Sequence, residues 1–165
     1  MPGEGVTQPP PQRGAQGGRP ALDRRWLAYL EADGDPGDGA DLVASDLPAR
    51  GSAEFNGGNF FASHETWEEL WGRTAYPQRL FCLALTKLGA GFEHARRTNA
   101  RGATRVLSDA LAYLAPFLPA YARLDTQRLH DDVSAWLRAS VLRETTAFPT
   151  IRRAPSPSLP MGERG

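Results

Sequence analysis

The stretch from Phe55 to Trp71 constrains the fold more than any other part of the chain. Its seventeen residues read F-N-G-G-N-F-F-A-S-H-E-T-W-E-E-L-W and hold one His, three Glu, two Trp and three Phe. Gly57 and Gly58 allow the backbone to turn sharply. Asn59 can cap a helix, because its side-chain oxygen can accept from a free first-turn amide. From Phe60 onward the helical period places Phe60, Ser63, Trp67, Leu70 and Trp71 on one face. Glu69 falls opposite, towards water. His64 lies at the edge of the apolar face, Glu68 a little further round and Glu65 further still. His64 and Glu68 are four residues apart and can touch. The spacing predicts a half-buried ionisable pair, and such a pair needs partners.

The same period recurs on either side. Leu22, Trp26, Leu27 and Leu30 give a helix over 22–32, closed by the Gly/Asp/Pro run 33–39. A short turn is expected around 42–47 and a brief helix over 52–56. Pro77 suits the first turn of a helix that runs to about Arg97. Its main stripe is Phe81, Leu85, Leu88 and Phe92. A second stripe holds Leu83, Lys87, Ala90, Gly91 and His94. Gly89 and Gly91 each cost a helix about 1 kcal/mol against Ala, so a close packing partner is expected there. Thr98 and Asn99 cap the next helix, which Pro116 and Pro119 end. Asp125 caps a last one, with Leu129, Val133, Trp136 and Leu137 facing inward. No strand alternation, repeat or heptad pattern interrupts this series. The expectation is an all-α bundle of about five helices over residues 22–148. The Gly/Pro/Gln-rich residues 1–21 and the Pro/Ser/Arg-rich residues 149–165 are expected to be disordered tails.

Composition narrows the function classes. Net charge is zero, so bulk charge does not mark a nucleic-acid binder. Cys82 is the only cysteine. No intrachain disulfide can form, and a reducing, cytoplasmic setting fits. No apolar run has the length of a membrane span, and the N-terminus lacks the apolar core of a signal peptide.

The pattern F-N-x-G-x-F-x-x-x-H-E-x-x-E-x-x-W, then an apolar helix ending in His94 and Asn99-x-x-Gly102-Ala103, resembles a family of small all-helical proteins, domain of unknown function three-hundred-nine. The resemblance covers about Phe55 to Leu114. Phe55, Asn56, Gly58, His64, Glu65, Glu68, Trp71, His94, Asn99, Gly102 and Ala103 match its pattern. Lys87 departs from it, at a position often held by glutamine. The resemblance implies a compact helical bundle and carries no activity with it.

Three readings stay open for the cluster His64, Glu65, Glu68, Lys87 and His94. In the first, His64, Glu65, Glu68 and His94 hold a divalent metal, as carboxylates and His from facing helices do in bundles. H-E-x-x-E, however, lacks the second His of the zinc-protease helix, and Lys87 would put a cation beside the ion. In the second, Glu68 or Glu65 is a general base and His64 or His94 a general acid, with Lys87 polarising a small phosphorylated or carbonyl substrate. In the third, the residues form a buried network that fixes helix docking. This last reading makes the chain a binding, interaction or structural module, with a small molecule, a protein or a second copy of the chain as partner. Separately, Arg97, Arg101 and Arg105, with Arg96, surround a helix start where free amides could assist an anion. A nucleic-acid partner at that turn would bind with steep salt dependence.

Overall fold

The computed structural model describes residues 8–13 and 18–155. Seven α-helices follow in order: α1 Gly18–Glu31, α2 Ala40–Val43, α3 Leu47–Asn56, α4 Phe60–Gly72, α5 Gln78–Arg96, α6 Ala100–Leu114 and α7 Thr126–Val141. A 3-10 turn, Ala115–Phe117, extends α6. The all-α expectation holds, but seven described helices replace about five. The difference lies in α2 and α3. Pro48 occupies the first turn of α3, where its missing N–H costs nothing. The buried stripe of α3 is Leu47, Gly51 and Phe55, and the glycine in its middle hides the period. The Trp67 indole fills that place: a Cβ on Gly51 would stand 2.1 Å from Trp67 Nε1.

Helix α5 is the axis. It packs against α4 on one side and α6 on the other, with α1 also touching it. Phe81, Leu85, Leu88 and Phe92 are fully buried, as their stripe predicts, and so are Leu80, Cys82 and Ala84. A helix apolar on most sides belongs in the interior. The two glycines have the packing reasons expected of them. A Cβ on Gly89 would lie 2.9 Å from the His64 backbone nitrogen, and one on Gly91 would lie 2.4 Å from Leu107 Cδ2. Phe92 sits at an aromatic junction, with ring centroids 5.6 Å from Phe55, 5.7 Å from Phe60, 5.1 Å from Trp136 and 5.8 Å from Phe148.

The chain ends depart from the expected tails where they are described. Residues 1–7, 14–17 and 156–165 lie outside the described residues. Helix α1 begins at Gly18, ahead of the expected 22. At the far end Ile151 is buried. Asn56 Nδ2 donates to the Ile151 carbonyl at 2.8 Å, and the Ile151 amide donates back to Asn56 Oδ1 at 2.7 Å. Asp125 N to Arg152 O and Ala154 N to Arg123 O, at 2.8 and 2.9 Å, continue the attachment. Tail composition reports little apolar content, but one well-placed side-chain amide can satisfy a strap's backbone groups without it.

Cys82 is fully buried, and its thiol lies 3.7 Å from Thr74 Oγ1. Burial pushes the thiol up to about 12. We expect a thiol-specific reagent at pH 8 to leave the native protein unlabelled while it labels the denatured protein fully, as read by mass spectrometry. No helix among the described residues is long and apolar enough to cross a membrane.

Candidate functional site

The buried arc of α4 is Phe60, Ser63, Thr66, Trp67 and Leu70. It is rotated towards Thr66 relative to the face read from the sequence, because α3 also packs on α4. Thr66 Oγ1 donates to Glu54 Oε1 across that contact at 2.6 Å. The rotation carries His64 to the rim, with its side chain 27% exposed, and leaves Glu68 at 57%. Glu68 is therefore more open than the half-buried pair that was expected. Asn59 is the N-cap residue of α4 but makes no side-chain capping bond, a correction to its expected role. Gly58 has φ 85°, a left-handed backbone that suits glycine.

His64 Nδ1 lies 3.2 Å from the Thr86 carbonyl of α5. A carbonyl only accepts, so Nδ1 carries the proton in this bond. Nε2 then faces Glu68 Oε2 at 3.7 Å, an ion pair when the ring is protonated. His94 is held the other way round. The Asn99 side-chain amide donates to His94 Nδ1 at 3.1 Å, while Asn99 Oδ1 accepts from Gly102 N at 3.1 Å and caps α6. A Cβ on Gly102 would stand 2.6 Å from the Asn99 amide nitrogen and 3.0 Å from His94 Nδ1, so a larger residue there would displace the Asn99–His94 bond. Lys87 reaches α6 instead of His94, with Nζ 3.6 Å from Asp109 Oδ2. Glu65 is exposed.

The candidates thus do not converge: His64 with Glu68, Lys87 and His94 make separate contacts along one seam, α4 to α5 to α6. Among the described residues, no three His, Cys, Asp or Glu side chains come together as a metal site. The chemistry open to the seam is that of His64 Nε2, a base fixed by the bond at Nδ1. Among the described residues, surface grooves lie elsewhere, three of them of similar size. The first, of about 520 Å³, runs between α6 and α7 and is lined by Arg101, Thr104, Arg105, Ser108, Ser140 and others. The second, of about 360 Å³, lies beside Trp136 and Phe148, and the third, of about 520 Å³, beside α2. None of the three is lined by the five candidates.

The arginine turn also divides. Arg101 and Arg105 line the α6–α7 groove. Arg97 turns away to Glu93, its Nε 2.7 Å from Oε2, beside Arg96 Nη2 at 2.7 Å from the same oxygen. The bonds from Arg96 and then Arg97 hold the Glu93 carboxyl down, to about 2. A carboxyl whose folded value is depressed adds stability above its unfolded value, near 4.5, and loses it as pH falls through the folded one. Wild-type stability should therefore fall between pH 4.5 and 2, and Glu93→Gln should flatten that part of the decline in thermal melts run across this range.

A second polar cluster was not anticipated. Asp23 accepts from the Tyr76 hydroxyl, and both residues are buried. The Arg79 guanidinium lies 4.2 Å over the Trp71 ring, and Nη1 donates to the Thr74 carbonyl at 3.3 Å. Arg79 Nε and Nη2 are buried and have no hydrogen-bond partner among the described residues. The one sequence signal was an arginine three residues before Cys82 on the apolar side of α5.

The fold and the seam define a small helical domain joined by cross-helix polar contacts. Residues 49–106 match a protein-family model described as Domain of unknown function (DUF309). That stretch runs from within α3 to within α6 and contains His64, Glu65, Glu68, Lys87 and His94, while Asp109, the partner of Lys87, lies just beyond it. Its Asn56 grips Ile151, well outside the matched residues. No curated protein and no solved structure matches the chain.

Proposed function

We propose that the chain is a helical binding, interaction or structural module whose polar seam serves to dock α4, α5 and α6. The observation that carries this reading is the His64 Nδ1 bond to the Thr86 carbonyl. It spends the ring's best-placed donor on joining two helices. His94 with Asn99, and Lys87 with Asp109, do the same between α5 and α6. Such contacts select one packing when every member is satisfied. The setting we infer is the reducing cytoplasm, which the single buried thiol supports.

The test is thermal unfolding with a metal panel. His64→Ala and His94→Ala should each lower the melting temperature by a few degrees, from the loss of about 1 kcal/mol of hydrogen bonding. Glu65→Ala should leave it unchanged. Stoichiometric Zn, Mn, Fe or Ni in protein purified without a His tag would overturn the reading, if the metal raises the melting temperature and His64→Ala abolishes that rise. The alternative of a metal-dependent enzyme would then take its place.

A further inference from the structure

The described N-terminal segment, Gln8-Pro9-Pro10-Pro11-Gln12-Arg13, is tied by hydrogen bonds to a stacked aromatic pair, Trp26 and Tyr76. Trp26 Nε1–H donates to the Pro11 carbonyl at 3.0 Å. The Gln12 side chain grips the backbone of Tyr76 with two bonds, Nε2 to the carbonyl and the amide N–H to Oε1, each 2.9 Å. Trp26 and Tyr76 stack in parallel, with centroids 5.2 Å apart and planes at 5°. Tyr29 meets Trp26 edge-on at 5.5 Å.

Each part of this arrangement suits one ligand chemistry. Consecutive prolines offer no backbone donors, only carbonyls, and favour a stiff extended helix that loses little entropy on binding. Proteins that take such segments use flat aromatic surfaces and a donor aimed at a proline carbonyl. Trp26 and Tyr76 supply both. Their own positions depend on other contacts: the Tyr76 hydroxyl on Asp23, the Arg79 guanidinium 5.7 Å from the Tyr76 ring, and Tyr29 against Trp26. The platform is therefore built independently of the segment that covers it. The segment itself is held by three neutral hydrogen bonds, and Pro9, Pro11 and Gln12 remain exposed.

We propose that the Trp26–Tyr76 surface is a binding site for proline-rich segments of partner proteins, which the chain's own Pro9–Gln12 occupies as an internal competitor. The site uses none of the seam residues. A tethered ligand acts at an effective concentration on the order of millimolar, so a free peptide meets a largely filled site. Releasing the tethered segment opens it.

The experiment titrates a fluorescently labelled peptide, Gln-Pro-Pro-Pro-Gln-Arg, with the full chain and follows anisotropy. Full-length Gln12→Ala, which removes two of the three hydrogen bonds, should bind the peptide roughly tenfold more tightly than wild type. The full chain carrying Pro9→Ala, Pro10→Ala and Pro11→Ala should behave likewise. Adding Trp26→Phe to Gln12→Ala should remove the gain. The proposal is overturned if both released variants, folded by circular dichroism, show no saturable binding. Equal binding of Gln-Ala-Ala-Ala-Gln-Arg would overturn it too.

Discussion

Replacing Phe92 by Ala should lower the melting temperature by roughly 10–15 °C, from a loss of about 4 kcal/mol. The ring is fully buried. It touches Phe55 of α3, Phe60 of α4, Trp136 of α7 and Phe148 of the C-terminal strap. Deleting it removes transfer energy and leaves a void at the one point where these segments meet. Because α5 is enclosed by its neighbours, little backbone can move in to fill the space. A calorimetric or circular-dichroism melt decides the matter, and a drop of only a degree or two would mean that the junction collapses freely.

Gly89→Val should cost about 3 kcal/mol, or roughly 6–12 °C. The nearest obstacle is backbone: the His64 nitrogen at 2.9 Å and its Cα at 3.0 Å from the position of a new Cβ. Valine pushes α4 away from α5 and pulls His64 Nδ1 off the Thr86 carbonyl. In an open helix the same change would be favourable by helix propensity alone, so the sign of the shift isolates the crossing. A melting temperature equal to or above wild type would refute the close approach of α4 and α5.

How much of this was legible in the sequence depends on distance along the chain. Helical period identified the inner faces of α5 through α7, and the caps Asn99 and Asp125 accept from Gly102 N and Arg128 N as their chemistry suggests. Local bonds of this kind are set by neighbours a few residues away. Period reports which face is buried, not what it is buried against. Thr66 of α4 is buried against α3, where it bonds Glu54, and no pattern in α4 alone could show it. The same limit hid the Asn56 pairing with Ile151, 95 residues on, and that of Tyr76 with Asp23, 53 residues back. His64, Lys87 and His94 were read as one cluster because they share helical registers. Their actual partners on α5, α6 and the α5–α6 turn separate them.

The side-chain amide of Asn56 grips Ile151 through main-chain atoms only. The grip therefore asks of position 151 only an N–H and a carbonyl, and proline alone is barred by it; burial of the side chain restricts its size. Position 56 has no such latitude. Aspartate has the shape of asparagine but no donor, and it would set an oxygen against the Ile151 carbonyl. The chemical constraint of this attachment thus falls on position 56, nearly a hundred residues earlier, while position 151 is constrained by packing alone.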